Sequence, residues 1–280
     1  MRLRRNSCGR LVPVRPQDEK IELTKQGKLL TLKRQVVPDK QPDNRKRGEV
    51  TTFSRRSRRN ILQFISTIAW GQIPSSLFLT LTYPDQVDWT TSDERNKHRY
   101  LFMRYAENYL ARPIPGIWRI EWEERKSGDC EGMIAPHFHL LLFGVNYIHY
   151  MTIREWWRKA IGWDKTVSTK VKKCFNAKMA GLYVSKYVAK AARGPYLDYG
   201  PYLNSGGRHW GFLRKNLIPR SVLQVIPELT PDELEFLIAR ANSILKWRMP
   251  DDDNGFSLIG NMSDYLFSEF LQFRIENKIE

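Results

Sequence analysis

The stretch Ala135-Pro136-His137-Phe138-His139-Leu140-Leu141-Leu142-Phe143-Gly144 leaves the chain little choice of local structure. It is a short apolar run, rich in Leu and Phe and bounded by Pro and Gly, which predicts a buried strand. Side chains alternate across a strand. His137 and His139 therefore share one face, about 6–7 Å apart at Cα, while Phe138 and Leu140 take the other. Two neutral imidazoles at that spacing can hold a divalent cation when a third ligand joins them. The plain alternative is a pair of histidines satisfied by ordinary hydrogen bonds.

The rest of the chain bears on that choice. At 280 residues it can bury a substantial core, as one large domain or one domain with appendages. A net charge of +16 creates a field that attracts polyanions, nucleic acid first among them. The three cysteines, Cys8, Cys130 and Cys174, are far apart and in no Cys-x-x-Cys pattern. That argues against a disulfide scaffold and a Cys-rich zinc site, and fits a reducing cytoplasm. No run approaches the roughly 18 apolar residues of a membrane span. The basic N-terminus lacks the apolar segment of a secretory signal, so a cytoplasmic location with no membrane partner is expected.

Charge is unevenly spread. Residues 1–60 hold 18 Lys/Arg against 6 Asp/Glu, whereas residues 228–280 hold 5 against 11. The front reads as a basic arm able to track a phosphate backbone, through Arg45, Lys46 and Arg47, then Arg55, Arg56, Arg58 and Arg59. The expected division is an arm over 1–60, a central domain over 61–225 and an acidic helical tail over 226–280. A helix that Pro231 and Asp232 start is expected near 230–248, as a packing helix or a docking site for a partner.

Within the central domain, Ile61, Leu62, Ile65 and Ile68 recur at helical spacing and predict a helix from Arg55 to Trp70. Apolar/Thr alternation from Leu77 to Tyr83 predicts a strand on which Thr80 and Thr82 share a face. Ser92 and Asp93 can cap a helix running to about Leu110. Ile117 to Glu123 predicts a second strand, with Glu121 and Glu123 on one face and Trp118, Ile120 and Trp122 on the other. A hairpin between this strand and the next would lay Glu121 or Glu123 beside the histidines. His, His and one carboxylate would leave coordination positions open for substrate oxygens. A short helix over 152–161, capped by Thr152, and a loop or short strand through Val167 and Val171 follow.

Tyr183 and Tyr187 are four residues apart, and so are Lys186 and Lys190. On a helix each tyrosine has a lysine three positions later on nearly the same face. A tyrosine hydroxyl is a weak nucleophile until a cation lowers its pKa from about 10. The lysines can do part of this and can stabilise charge on a pentavalent phosphorane. The alternative is an amphipathic helix with packed tyrosines and solvated lysines.

The strand Phe78 to Asp85, the His137-Phe138-His139 strand and the Tyr183-x-x-Lys186-Tyr187-x-x-Lys190 run occur in the order of the three motifs of the HUH endonucleases. The chain resembles the rolling-circle replication initiators of small single-stranded DNA phages in that superfamily, of the type with two tyrosines. Arg208-His209-Trp210-Gly211-Phe212 is similar to a segment that follows the tyrosine helix there, and the resemblance covers roughly residues 60–220. It implies an α+β fold with a central, RRM-like antiparallel sheet of about five strands. It implies His137, His139 and Glu121, with Glu123 as fallback, as ligands of Mg2+ or Mn2+. Tyr183 would be the first nucleophile and Tyr187 a second. The implied reaction nicks single-stranded DNA at a replication origin, leaving a 5′-phosphotyrosine and a free 3′-OH for a host polymerase, with a host helicase unwinding. In keeping with that division of labour, the chain has no Gly-x-x-x-x-Gly-Lys-Ser/Thr phosphate loop.

Other readings share parts of this pattern. A single-strand transposase or relaxase would use the same chemistry. A non-catalytic nucleic-acid-binding protein could stack bases on an RRM-like sheet. A structural zinc site would draw on Cys130, His137, His139 and Cys174.

Overall fold

The computed structural model describes residues 3–5, 11–13, 19–36, 55–84, 87, 91–124, 131–132, 134–174, 208–245 and 255–277. Among them, eleven strands and five α-helices run in chain order. They are β1 (Leu3–Arg5), β2 (Leu11–Pro13), β3 (Glu19–Gln26), β4 (Leu29–Val36), α1 (Arg55–Ser66), β5 (Ser76–Thr82), α2 (Ser92–Leu110), β6 (Gly116–Glu124) and β7 (Ile134–Phe143). There follow α3 (Tyr150–Ala160), β8 (Thr169–Cys174), β9 (Trp210–Leu213), β10 (Leu223–Pro227), α4 (Pro231–Leu245), β11 (Gly255–Ile259) and α5 (Asn261–Glu276). The protein is α+β with two antiparallel sheets, of four and five strands, besides the short pair β1–β2.

The chain divides into two units, and not at residues 60 and 225. One comprises Met1–Lys46, Leu62–Ile68 and Arg220–Glu280; the other comprises Arg47–Ile61 and Ala69–Pro219. The larger unit holds the five-stranded sheet, in the order β8-β5-β7-β6-β9. Strand β7 is central, as its run of Leu and Phe demands. One face carries Leu77, Leu79 and Leu81 of β5, Trp118, Ile120 and Trp122 of β6, and Phe138, Leu140 and Leu142 of β7. These pack with Phe102, Met103 and Ala106 of α2 and Ile153 and Trp157 of α3 into one buried core. The alternation of period two sends the intervening residues to the opposite face, where the histidines lie.

Helix termini follow local chemistry. The first helix ends at Ser66, short of the expected Trp70, where Ser66 Oγ donates to the Leu62 carbonyl and Thr67 Oγ1 to that of Phe64. Thr91, rather than Ser92 or Asp93, caps α2 by accepting from the Glu94 amide at 3.2 Å. His149, rather than Thr152, caps α3 through its Nδ1.

In the smaller unit, residues 19–36 form a β-hairpin in place of an arm with little periodicity. The four-stranded sheet runs β10-β3-β4-β11, so this hairpin is flanked by strands from residues 223–227 and 255–259. The expected acidic tail is thus part of the same unit. Leu23, Leu30, Leu32 and Leu258 of the sheet pack with Leu237 and Ala241 of α4 and Leu266 and Phe270 of α5. Helix α4 is a packing helix, opened by a reciprocal cap in which Thr230 Oγ1 accepts from the Glu233 amide and Glu233 accepts from the Thr230 amide. The charge asymmetry of the sequence finds its counterpart here, where Lys25 and Lys28 both bind Asp264. Burial pushes the Asp264 carboxyl up, but the two lysines hold it below the usual range.

Candidate metal centre and nucleic-acid face

The β6–β7 hairpin sets Glu121 directly opposite His137 and Arg119 opposite His139. On the other side of β7, Thr82 pairs with His137 and Thr80 with His139. Residues in direct register share a face. A row Thr82–His137–Glu121 and a second row Thr80–His139–Arg119 therefore lie side by side on the face away from α2 and α3. Both histidines are half-buried, and Glu121 is only 1% exposed.

Each imidazole is held through Nδ1. Thr82 Oγ1 lies 2.8 Å from His137 Nδ1, and Thr80 Oγ1 lies 3.2 Å from His139 Nδ1. The His139 ring also stacks on Phe78, with centroids 5.6 Å apart. Where the threonine oxygen accepts from Nδ1–H, Nε2 carries the lone pair, which is the tautomer a metal ligand needs. His139 Nε2 then faces Glu121 Oε2 at 3.1 Å, two lone pairs that a proton or a cation must bridge. Arg119 lies 3.6 Å from the second carboxylate oxygen.

This donor set suits a hard divalent cation with open positions. The two histidine rings stand 6.4 Å apart, centroid to centroid. Among the described residues, no three His, Cys, Asp or Glu side chains are close enough to hold an ion as placed. His137 would have to turn toward the His139–Glu121 pair to complete the set. Glu123 lies two residues along β6, opposite Ala135, and so pairs with neither histidine. Cys174 is buried four residues along the sheet from the His139 row, about 13 Å away, which takes it out of a zinc site with the histidines.

Tyr183, Lys186, Tyr187 and Lys190 lie outside the described residues, as do Arg45, Lys46 and Arg47. Arg55, Arg56, Arg58 and Arg59 lie on α1, and the Arg59 side chain is exposed. Tyr83, next along from the site strand, is no substitute for the tyrosine pair. It faces the helical side, fully buried against Trp157 and Phe138, and burial raises its phenol well above the usual value. The threonines and Arg119 are site residues that sequence reasoning left without a role. Their signal was the shared face of Thr80 and Thr82 and the period-two spacing of Arg119 and Glu121.

His209, which precedes β9, is 7% exposed, and its carbonyl accepts from the Ile120 amide at 2.8 Å. Burial, reinforced by Arg95 and Arg119, lowers its pKa to about 4. An unfolded histidine titrates near 6.5, so between pH 6.5 and about 4 the unfolded chain binds the extra proton. Stability from this group is present above pH 6.5 and falls as pH drops toward 4. Urea unfolding at pH 7 and at pH 4.5 is expected to show about 3 kcal/mol of acid sensitivity that His209→Gln removes.

A family model described as a replication-associated protein, of the ORF2 type, matches residues 76–192, from the start of β5 through the Tyr183–Lys190 run. The match fits a Rep-type replication initiator and is consistent with an endonuclease role. No curated protein and no solved structure matches the chain. No helix among the described residues is long and apolar enough to cross a membrane.

Proposed function

We propose that the chain initiates rolling-circle DNA replication by nicking single-stranded DNA at an origin and later rejoining it, as an HUH endonuclease with two tyrosines. The observation that carries this reading is the convergence of His137, His139 and Glu121 on one face of the central strand pair, inside the stretch that matches a replication-associated family. His137, His139 and Glu121 would hold Mg2+ or Mn2+, which when bound polarises the scissile phosphate and offsets its developing charge. Thr80 and Thr82 fix the imidazole tautomers, and Arg119 balances the Glu121 carboxylate.

The phenol oxygen of Tyr183 attacks the phosphorus, with Lys186 and Lys190 favouring its ionised form. The P–O3′ bond breaks, the departing 3′-oxygen takes a proton, and the 5′-phosphate stays on the tyrosine. Bond energy is conserved in this link, so Tyr187 or the returning 3′-OH can reverse it without ATP. The liberated 3′-OH primes a host polymerase, and a host helicase unwinds the duplex ahead of it. The basic residues ahead of and along α1 add affinity that does not depend on sequence.

Labelled single-stranded circular DNA, including the element's own origin, tests this directly. Wild type is expected to form a covalent adduct with Mg2+ or Mn2+ and none in EDTA. Tyr183→Phe and Tyr187→Phe together are expected to abolish it, and the single variants assign the nucleophile. Tight binding of DNA without any adduct would overturn the nickase in favour of a binding protein.

A further inference from the structure

The two outer strands of the larger sheet carry complementary chemistry on the face that holds the histidines. On one edge, β8 places Lys170 opposite Thr80 and Lys172 opposite Phe78. Thr80 pairs in turn with His139, so Lys170 belongs to the same cross-strand row as the imidazole. Both lysines are exposed. On the other edge, β9 places Trp210 opposite Arg119 and Phe212 opposite Ile117. Trp210 and Phe212 are half-buried, whereas Gly211 and Leu213 point to the core. The two rings meet edge to face at 5.6 Å, and Lys215 lies over Phe212 at 5.5 Å.

The resulting row reads Lys170–Thr80–His139–Arg119–Trp210, with Lys172–Phe78–Leu141–Ile117–Phe212 beside it. Adjacent strands lie about 4.8 Å apart, so the row spans about 19 Å. Cations stand at one end, partly exposed aromatic rings at the other, and the candidate metal centre between them. Gly211 keeps the aromatic edge in place. A side chain there would meet the Trp118 indole at 2.7 Å, so the glycine lets β9 lie flat on that ring with Trp210 and Phe212 turned outward.

We propose that this face is a track for single-stranded DNA, with Lys170 and Lys172 taking phosphates on one side of the scissile bond and Trp210 and Phe212 stacking bases on the other. The inference rests on the nicking reading for the position of the scissile bond. A single strand suits both ends. Its phosphates are evenly spaced anions, and its unpaired bases offer π-faces of any sequence. Duplex DNA would hide those faces.

The test is equilibrium binding of the full chain in EDTA to two fluorescent probes. One is a short oligothymidylate, and the other is an abasic deoxyribose-phosphate strand of the same length. Trp210→Ala is expected to weaken oligothymidylate binding about tenfold, the stacking of one base, while the abasic probe changes less than about twofold. Trp210→Phe, which keeps a π-face, is expected to restore most of the loss. If Trp210→Ala fails to fold, Trp210→Leu and Phe212→Ala make the same comparison. Lys170→Gln and Lys172→Gln are expected to weaken both probes alike and to lower the slope of log affinity against log salt by about 0.7 per lysine.

Equal loss on both probes in the Trp210 variants, or no loss on either, would overturn the track. So would an unchanged salt slope in the lysine variants. Because these affinities are read without metal, they separate from the chemistry. A base-dependent loss in a protein that never forms an adduct keeps the track and removes the nickase. An adduct alongside unchanged probes does the reverse.

Discussion

His139→Ala is expected to reduce metal-dependent DNA adduct formation about a thousandfold, a loss of several kcal/mol of transition-state stabilisation. The argument is positional. His139 sits on the central strand, its Nδ1 held by Thr80 and its Nε2 against the buried Glu121 carboxylate. No neighbouring donor can replace it, because the adjacent positions on that face are Arg119 and Leu141. Thr80→Val separates orientation from ligation. It keeps the ring and removes the hydroxyl 3.2 Å from Nδ1, and it is expected to weaken Mn2+ binding about 10- to 100-fold. Single-turnover adduct formation across a Mn2+ titration checks both. Saturating Mn2+ should rescue Thr80→Val and leave His139→Ala inactive. Rescue of both to wild-type rates would show that His139 is not a ligand.

Trp157→Ala is expected to cost about 4 kcal/mol of stability, the largest effect of a single truncation in the core of the larger unit. Trp157 is fully buried between Tyr83, Phe102 and Phe138, at ring separations of 4.9, 6.3 and 6.2 Å. Its indole N–H also donates to the Thr82 carbonyl at 2.9 Å. Trp157→Phe keeps most of the ring volume but leaves that carbonyl without its donor, and about 1–3 kcal/mol is expected there. Thr82 holds His137, so α3 supports the site strand from behind. Denaturant unfolding of the two variants measures the split. A loss below about 1 kcal/mol for Trp157→Ala would mean that the pocket collapses around the missing ring.

What the sequence disclosed was local. The alternation in Leu77–Tyr83 and Ile117–Glu123, and the apolar run after His137, each carry their own period, and three adjacent strands of the larger sheet followed from them. The hairpin placed Glu121 with the histidines because one short connection leaves an antiparallel pair little freedom of register. The partnership of Thr80 with His139 was out of reach. It depends on which strand lies on the far side of β7, and no run of residues encodes that choice. Strands β3 and β4 were missed for a related reason. Ile21, Leu23, Leu30 and Leu32 alternate as a buried face should, but lysines and glutamates are interleaved with them, and the segment reads as a charged arm. Their flanking strands lie some two hundred residues away in sequence. Helix α5 escaped notice because only Ser263, Leu266 and Phe270 are buried on it, a stripe too thin to stand out.

The composition of the smaller unit also bears on the order in which the protein assembles. Strands β5 to β9, with α2 and α3 among them, come from an unbroken reach of chain, and that sheet has all its parts once residue 213 has been synthesised. The hairpin of β3 and β4 leaves the ribosome before any of these, yet it must wait for β10, β11 and α5 before its leucines are covered. Closing so long a loop is slow, and a strand pair held open meanwhile invites association with other chains. An early-made hairpin thus belongs to the last-completed sheet, and nascent protein released before α5 would expose the apolar face of that hairpin.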